Sequence, residues 1–271
     1  MKIPMRIFWL FSVLMGWLAI AIAASAQDAP VSARLLPGWT AADGVQMIGV
    51  ELTLSPGWKT YWRAPGDAGI PPQFDWGGSK NIRTAEVLWP TPEVIFLQGM
   101  RSIVYKGRVV LPVRITPMDP SAPLSLRLGL DIGVCRDVCM PHQERLAQVV
   151  QDTGGTPVPA IAAAIASQPF TAREAGLRGA KCSLSATPDG LRLTARMLLP
   201  RAGTTEDVVV ETGMPDIWVS EPETQRSGDT LIATALLVGS QDGAIAIDRN
   251  QLRITVLGST HAVDIQGCAR G

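Results

Sequence analysis

The feature that most constrains this 271-residue chain is a succession of short runs rich in Val, Leu, Ile and Thr, separated by turns. Residues 49–54 alternate apolar and polar side chains and end at Ser55-Pro56-Gly57, as a β-strand followed by a turn would. The chain also contains 26 Gly and 21 Pro, residues that interrupt long helices. Together these patterns predict an all-β protein.

The strand candidates fall into two groups, separated by a change of composition near residue 151. The first group comprises residues 45–54, 86–88, 102–105, 109–115 and 124–132, and the second comprises 182–186, 191–198, 207–211, 216–220, 230–237 and 251–257. Between them, residues 153–159 have the composition of a linker, and residues 160–167 that of a short Ala-rich helix. We therefore predict two β-sandwich modules, residues 27–150 and 171–271, joined by a linker at residues 151–170.

Two further features of the first group concern packing. The Pro- and Gly-rich segment at residues 64–72 is predicted to be a loop, because neither a helix nor a central strand tolerates its composition. Five aromatic residues are predicted to pack in the core and its loops, because aromatic side chains bury a large area in a small sandwich. They are Trp58, Tyr61, Trp62, Trp76 and Trp89.

The first 26 residues have the features of a secretory signal peptide. Lys2 and Arg6 precede an almost wholly apolar stretch, and Ala24-Ser25-Ala26 offers small residues for cleavage. A membrane-spanning helix is the alternative, since a stretch of this length could just cross a bilayer. We predict export to the periplasm by a cleaved signal peptide. Loss of Lys2 and Arg6 from the 24 basic residues leaves 22 against 24 acidic ones, which argues against a nucleic-acid partner.

All four cysteines follow the predicted export signal, and disulfides persist in that compartment. Four cysteines can pair in three ways, so their spacing has to select among them. Cys135 and Cys139 follow the strand candidate 124–132, and a bond between them would close a small loop that stabilises the fold little. Because a short loop at a strand end is accessible to an attacking thiolate, this spacing favours a redox-active pair. A structural staple is the alternative.

The charged residues near this pair do not by themselves identify the attacking sulfur. Arg136 and His142 could stabilise a thiolate, whereas Asp137 would oppose them. We favour Cys139 as the nucleophile because it is nearer His142 in the sequence.

Cys182 and Cys268 lie near the first and last strands of the second group. A bond between them would close a loop of about 86 residues, worth roughly 4 to 5 kcal/mol in the chain-entropy model. We therefore predict a structural disulfide. An unpaired Cys268 that bridges to another chain is the alternative.

An ordered set of motifs in the first group resembles a known family. Residues 58–72 read Trp-Lys-Thr-Tyr-Trp-Arg-Ala-Pro-Gly-Asp-Ala-Gly-Ile-Pro-Pro, and they precede Trp89-Pro90, then Tyr105 with residues 109–113, then residues 135–141. This set resembles the N-terminal periplasmic domain of the protein-disulfide reductase DsbD, and most of all its relatives in the suppressor-of-copper-sensitivity group, ScsB. The resemblance covers roughly residues 45–150 and implies an immunoglobulin-like sandwich. We predict two immunoglobulin-like modules on this basis and on the strand spacing of the second group.

The resemblance also implies a function and a site. In that family the domain carries out thiol–disulfide exchange with other proteins. The resemblance therefore implies that Cys135 and Cys139 are the catalytic pair. The partners would be a membrane electron donor of the DsbD/CcdA type and periplasmic thioredoxin-like proteins. Residues 95–99 match the family's loop that caps the disulfide, with Phe96 or Leu97 as the shielding side chain, followed by Gln98 and Gly99.

This sequence departs from the family pattern in two ways. DsbD has more than three residues between its cysteines, and the transmembrane and thioredoxin-like domains that normally follow are not found in this sequence. We therefore expect either a separately encoded membrane donor or a different use of the module.

Two other functions stay open at this point. Cys135, Cys139, Met140 and His142 lie within eight positions and suit Cu(I), so a periplasmic copper-binding or copper-tolerance protein is one of them. The other is an interaction module in which all four cysteines are structural. Hydrolase chemistry is poorly supported, because the sequence contains no nucleophile elbow, zinc-protease helix or phosphate loop, and we predict no cofactor.

Overall fold

The computed structural model describes residues 29–67, 69–97, 99–151, 154–240 and 246–271, so the predicted signal peptide lies outside the described residues. The described chain is built almost entirely of β-strands. The first ten are β1 (Val31–Thr40), β2 (Gln46–Leu54), β3 (Lys59–Gly66), β4 (Gln73–Asp75), β5 (Ile82–Val87), β6 (Glu93–Leu97), β7 (Met100–Lys106), β8 (Arg108–Pro117), β9 (Leu124–Cys135) and β10 (Cys139–Val150).

A short helix and the remaining strands follow. They are α1 (Pro159–Ala166), β11 (Phe170–Thr171), β12 (Gly179–Thr187), β13 (Gly190–Leu198), β14 (Glu206–Glu211), β15 (Ile217–Val219), β16 (Glu223–Ser227), β17 (Thr230–Gly239), β18 (Arg253–Gly258), β19 (Ala262–Gln266) and β20 (Ala269–Arg270).

The first module consists of two sheets that face each other across an apolar core. One sheet has the order β1-β2-β8-β5, and the other has the order β10-β9-β3-β7-β6 with β4 paired to β9. Strand β9 illustrates why the sequence folds this way, because its alternate residues 124, 126, 128, 130, 132 and 134 are all buried aliphatic side chains. They pack with the fully buried Trp62 of β3.

The second module repeats this two-sheet arrangement. Its sheets have the orders β11-β19-β18-β14 and β15-β17-β13-β12-β20, with β16 also paired to β17. Alternate residues of β13 and β18, including Leu193, Ala195, Ile254 and Val256, are buried between the sheets. The predicted fold class, an all-β protein with two β-sandwich modules, is confirmed.

Helix α1 lies in the segment predicted as a linker, shifted by one residue from the predicted Ala-rich helix. Its Ile161 is fully buried and packs with Leu36, Trp39 and Val110 of the first module. Pro159 suits the start of the helix, where a missing N–H is tolerated. Within the described ranges, no helix is long and apolar enough to cross a membrane.

The structure departs from the sequence prediction at residues 64–72. The predicted loop is wrong at its start, since β3 continues to Gly66. Pairing between β3 and β7 is interrupted from Tyr61 to Gly66, so Pro65, which has no N–H, disrupts no regular ladder bond there. Gly66 adopts a φ of 88°, and a Cβ atom there would lie 2.4 Å from the Arg101 carbonyl oxygen, so glycine is required.

Candidate functional site

Cys135 and Cys139 lie directly opposite each other at the end of the β9–β10 hairpin. They form a disulfide, their Cα atoms are 4.1 Å apart, and residues 136–138 make the turn between the strands. The hairpin register therefore brings the two sulfurs together without help from more distant parts of the chain.

The two sulfurs of this disulfide differ in their access to solvent. Cys135 is 4% exposed and packs with Tyr61 and Val104, because β9 is an inner strand of its sheet. Cys139 is exposed on β10, the outer strand. An incoming thiolate can therefore approach Cys139 and displace Cys135, whereas the reverse attack is sterically hindered.

Tyr61 provides a polar contact to the exposed sulfur. Its hydroxyl lies 3.1 Å from Cys139 Sγ, and burial raises the pKa of Tyr61, so the hydroxyl stays protonated and can donate. The ring is confined on both sides by glycines. A Cβ atom at Gly69 would lie 2.7 Å from Tyr61 Cδ1, and one at Gly133 would lie 3.0 Å from Tyr61 Cδ2. Only glycine at these positions leaves room for the ring.

The turn at residues 136–138 is held by Lys59, the first residue of β3, and by Trp58 just before it. Lys59 lies opposite Cys135, and its Nζ donates to the Arg136 carbonyl oxygen at 3.4 Å. The Arg136 guanidinium lies 5.4 Å from the centre of the Trp58 ring and pairs with Asp137. Arg136 and Asp137 thus pair with each other, and together they add no net charge to the turn.

The segment predicted to cap the disulfide is the β6–β7 hairpin. Ile95 packs against the buried cluster of Tyr61, Val104 and Cys135, and Leu97 lies on the same face of β6. Phe96 is 59% exposed, and strand alternation places it on the opposite face. Of the two predicted shielding residues, Leu97 is therefore the one on the side of the disulfide. Gly99 follows at the turn, and Gln98 lies outside the described residues.

A groove of about 670 Å³ separates this hairpin from the disulfide turn. Its lining combines apolar side chains with charged ones of both signs, among them Ile95, Leu97, Trp58, Lys59, Arg136 and Asp137. Arg136 and Asp137 belong to the turn between the two cysteines, so the groove borders that turn.

The sequence of the first module matches a known family. The model of that family, described as "Thiol:disulfide interchange protein DsbD, N-terminal", matches residues 32–151. Residues 32–151 form a DsbD N-terminal domain. The matched range contains both cysteines of the exposed disulfide and Tyr61. The DsbD N-terminal domain of this chain is therefore a thiol–disulfide exchange module, and its partners carry thiols or disulfides.

The fold of both modules together is also similar to a solved structure. The "N-terminal periplasmic domain of ScsB from Proteus mirabilis" has a TM-score of 0.64 and 20% sequence identity to this chain, and the similarity covers 89% of this chain and 92% of that one. The similarity thus extends beyond the DsbD N-terminal domain into the second module. A comparison with curated proteins found no match.

The four predicted copper ligands are not brought together. Cys135 and Cys139 are bonded to each other, and strand alternation places Met140 and His142 on the face of β10 opposite Cys139. His142 Nε2 instead contacts Glu144 Oε1 at 3.0 Å. Across the described ranges, no group of three or more His, Cys, Asp or Glu side chains is placed to hold a metal. The His142 side chain thus lies on the opposite face of β10 from Cys139, so its nearness in sequence does not support the choice of Cys139 as the nucleophile.

Sequence reasoning missed the role of Tyr61, which it assigned to packing. The ring is buried as predicted, but its hydroxyl is next to a sulfur that lies 78 residues further along the chain. Strand alternation in residues 59–62 offered a signal, since Lys59 and Tyr61 share one face and Thr60 and Trp62 share the other. An aromatic residue on the face that carries a lysine is a candidate for more than core packing.

In the reduced protein, Tyr61→Phe is expected to raise the pKa of the Cys139 thiol by about one to two pH units. The variant loses a hydrogen bond to a charged sulfur, an interaction worth roughly 1.5 to 3 kcal/mol. The measurement is the pH dependence of alkylation by iodoacetamide, read by mass after trypsin cleavage at Arg136, which separates the two cysteines. Tyr105→Phe is the matched control, because the buried Tyr105 hydroxyl donates to the Pro90 carbonyl oxygen. An unchanged profile in Tyr61→Phe would contradict this role.

Proposed function

We propose that this chain relays electrons in the periplasm by thiol–disulfide exchange at Cys135 and Cys139. It accepts them from a membrane donor of the DsbD/CcdA type and passes them to periplasmic thioredoxin-like proteins. The observation that carries the proposal is the asymmetric disulfide of the DsbD N-terminal domain, in which an exposed Cys139 is bonded to a buried Cys135. Such a bond can open toward a partner and close again within the module.

Reduction of the module requires two thiols from the donor. A donor thiolate attacks Cys139 Sγ, the Cys135–Cys139 bond breaks, and Cys135 leaves as a thiolate that takes up a proton. The second donor thiol, once deprotonated, attacks the donor sulfur of the mixed disulfide and releases Cys139 as a thiolate. The donor ends as a disulfide, and the module has gained two electrons, with Cys135 as a thiol and Cys139 as a thiolate.

Delivery to the next protein reverses these steps. The Cys139 thiolate, accepting the Tyr61 hydrogen bond, attacks a disulfide of the thioredoxin-like partner and displaces one partner thiolate, which is protonated. Cys135, once deprotonated, attacks Cys139 Sγ, re-forms the internal disulfide and releases the second partner sulfur as a thiolate, which takes up a proton. The partner ends as a dithiol, and the module as a disulfide.

The proposal assigns different roles to the two modules. The first module, residues 27–150, carries the exchange site, and the second, residues 171–271, supports it. The Cys182–Cys268 disulfide lies within the core of the second module, where Cys182 is fully buried. We assign it a structural role, because neither sulfur is positioned like the exposed Cys139.

The test is a redox titration of the mature protein in glutathione buffers from about −300 to about −150 mV. Alkylated thiols are assigned to individual cysteines by mass after trypsin cleavage. We expect Cys135 and Cys139 to be reduced together within this range, while Cys182 and Cys268 stay oxidised in the folded protein.

The competing function, an interaction module without redox chemistry, predicts a different result. In that case both disulfides stay oxidised until the protein unfolds, which circular dichroism on the same samples would detect. Reduction confined to Cys182 and Cys268 would equally contradict the proposal.

A further inference from the structure

Strand β3 connects the disulfide to the second module. Tyr61 contacts Cys139, and two residues later Arg63 reaches across to Glu211 of β14. Arg63 Nε donates to the two carboxylate oxygens of Glu211 at 3.0 and 3.2 Å, and Nη2 donates to Thr255 Oγ1 at 3.0 Å. The site's hydrogen-bond donor and the intermodule contact thus belong to the same short stretch of backbone.

The contact between Arg63 and Glu211 is largely shielded from water at Arg63, while the Glu211 side chain is 24% exposed. The Arg63 side chain is 10% exposed, and its guanidinium lies 3.8 Å from the centre of the buried Trp62 ring. Ion pairs in such surroundings are weakly screened, and loss of one partner leaves a buried charge uncompensated. Glu211 therefore restrains the position of Arg63 and, through it, of β3.

A second connection reaches Tyr61 through the segment that follows β3. Arg101 of β7 is almost fully buried, and its Nη1 donates to the Val208 carbonyl oxygen of the second module at 3.0 Å. The backbone of Arg101 is also held by Asp67, whose carboxylate accepts from the Arg101 N–H at 3.1 Å. Two residues after Asp67, Gly69 forms one wall of the space that confines the Tyr61 ring.

Apolar packing joins the modules at the same interface. Val209 and Leu257 of the second module are buried in one cluster with the core of the first. The charged contacts of Arg63 and Arg101 therefore lie beside a packed surface, and they can transmit a fixed geometry between the modules.

We propose that the second module positions the redox site, with Arg63 and Glu211 holding β3 so that the Tyr61 hydroxyl meets Cys139. Arg63 and Glu211 are positioning residues, since neither contacts a sulfur. The inference rests on the proposed exchange at Cys139, but its test reads the reactivity of one thiol and needs no partner protein.

The test is the rate of Cys139 alkylation by iodoacetamide in the reduced full-length protein, as a function of pH. Glu211→Gln is expected to slow alkylation about threefold at pH values below the pKa of the thiol, equivalent to raising that pKa by about half a pH unit. Glu206→Gln is the matched control. Glu206 lies on the same strand and forms a buried ion pair, but its partner Arg226 belongs to the second module. It should leave the alkylation rate unchanged.

The decisive comparison repeats Glu211→Gln in a Tyr61→Phe background. If Glu211 acts through Tyr61, the second substitution adds no further effect, because the two changes remove the same interaction. A threefold effect that persists without the Tyr61 hydroxyl would overturn the inference, as would an unchanged rate in folded Glu211→Gln.

Thr255→Val provides a milder variant in case Glu211→Gln does not fold. It removes only the oxygen that accepts from Arg63 Nη2, and it is expected to slow alkylation in the same direction. An unchanged rate in that folded variant would also overturn the inference. Because alkylation needs no partner, a negative result here leaves the outcome of the redox titration unaffected, so failure of this inference is distinguishable from failure of the proposed function.

Discussion

The Cys135→Ser variant is expected to form a mixed disulfide with glutathione through Cys139 about ten times faster than Cys139→Ser forms one through Cys135. Cys139 is exposed on an outer strand, whereas Cys135 is buried between its neighbours. The remaining thiolate must reach the sulfur of glutathione disulfide in line with the bond that breaks, and only Cys139 has that access. Each reaction releases one glutathione and adds one glutathionyl group, which mass spectrometry of the intact protein measures.

The different acidities of the two remaining thiols should increase this difference in rate between the variants. In Cys135→Ser the Tyr61 hydroxyl still lies next to the remaining sulfur, and it favours the thiolate that attacks. In Cys139→Ser the remaining Cys135 lies in an apolar cluster, where burial disfavours a thiolate. Equal rates, or faster reaction of Cys139→Ser, would make Cys135 the nucleophile and would contradict the order of steps proposed above.

The same variants should distinguish the sulfurs toward proteins. The partner is a thioredoxin-like protein that lacks its resolving cysteine and carries its remaining cysteine as a mixed disulfide with glutathione. We expect Cys139 of the Cys135→Ser variant to attack the partner sulfur, displace glutathione and form a covalent complex that dithiothreitol reduces. The Cys139→Ser variant serves as the matched control, since it differs only in which cysteine is left.

Sequence alone could predict those parts of the fold that depend on local patterns. The alternating aliphatic residues of β9 identified that strand, and the short spacing of Cys135 and Cys139 favoured a bond between them, which the structure contains. Strand β10 was not predicted, because four consecutive polar residues, 142–145, interrupt its apolar ones and most of the strand is exposed. It became recognisable only once its pairing with β9 was known.

Local sequence patterns could not predict the features that favour Cys139 as the nucleophile. Cys139 was favoured as the nucleophile for its proximity to His142, but the structure supports the same choice for other reasons, namely exposure and the Tyr61 hydroxyl. Both depend on which strand lies at the edge of the sheet and on contacts between residues far apart in the chain. The pairing of Arg63 with Glu211, which are 148 positions apart, is equally invisible to local reasoning.

The two disulfides are expected to differ in their contribution to stability. Replacement of Cys182 and Cys268 by Ala should lower the free energy of unfolding by about 4 to 5 kcal/mol, because the bond closes a loop with a sequence separation of 86. Replacement of Cys135 and Cys139 by Ala should cost only about 2 kcal/mol, since the same relation applies to a separation of 4.

Urea unfolding followed by circular dichroism measures the free energy of unfolding of both variants. Hydrogen exchange in β13 reports on the second module alone. The Cys135→Ala/Cys139→Ala variant is the control for loss of a disulfide as such. Equal destabilisation by the two double substitutions would contradict the structural role of the Cys182–Cys268 disulfide. Unchanged hydrogen exchange in β13 after removal of that disulfide would contradict it as well. A much larger loss of stability without Cys182–Cys268 than without Cys135–Cys139 would fit two different roles. The first disulfide would maintain the core of the second module, and the second would be free to open and close.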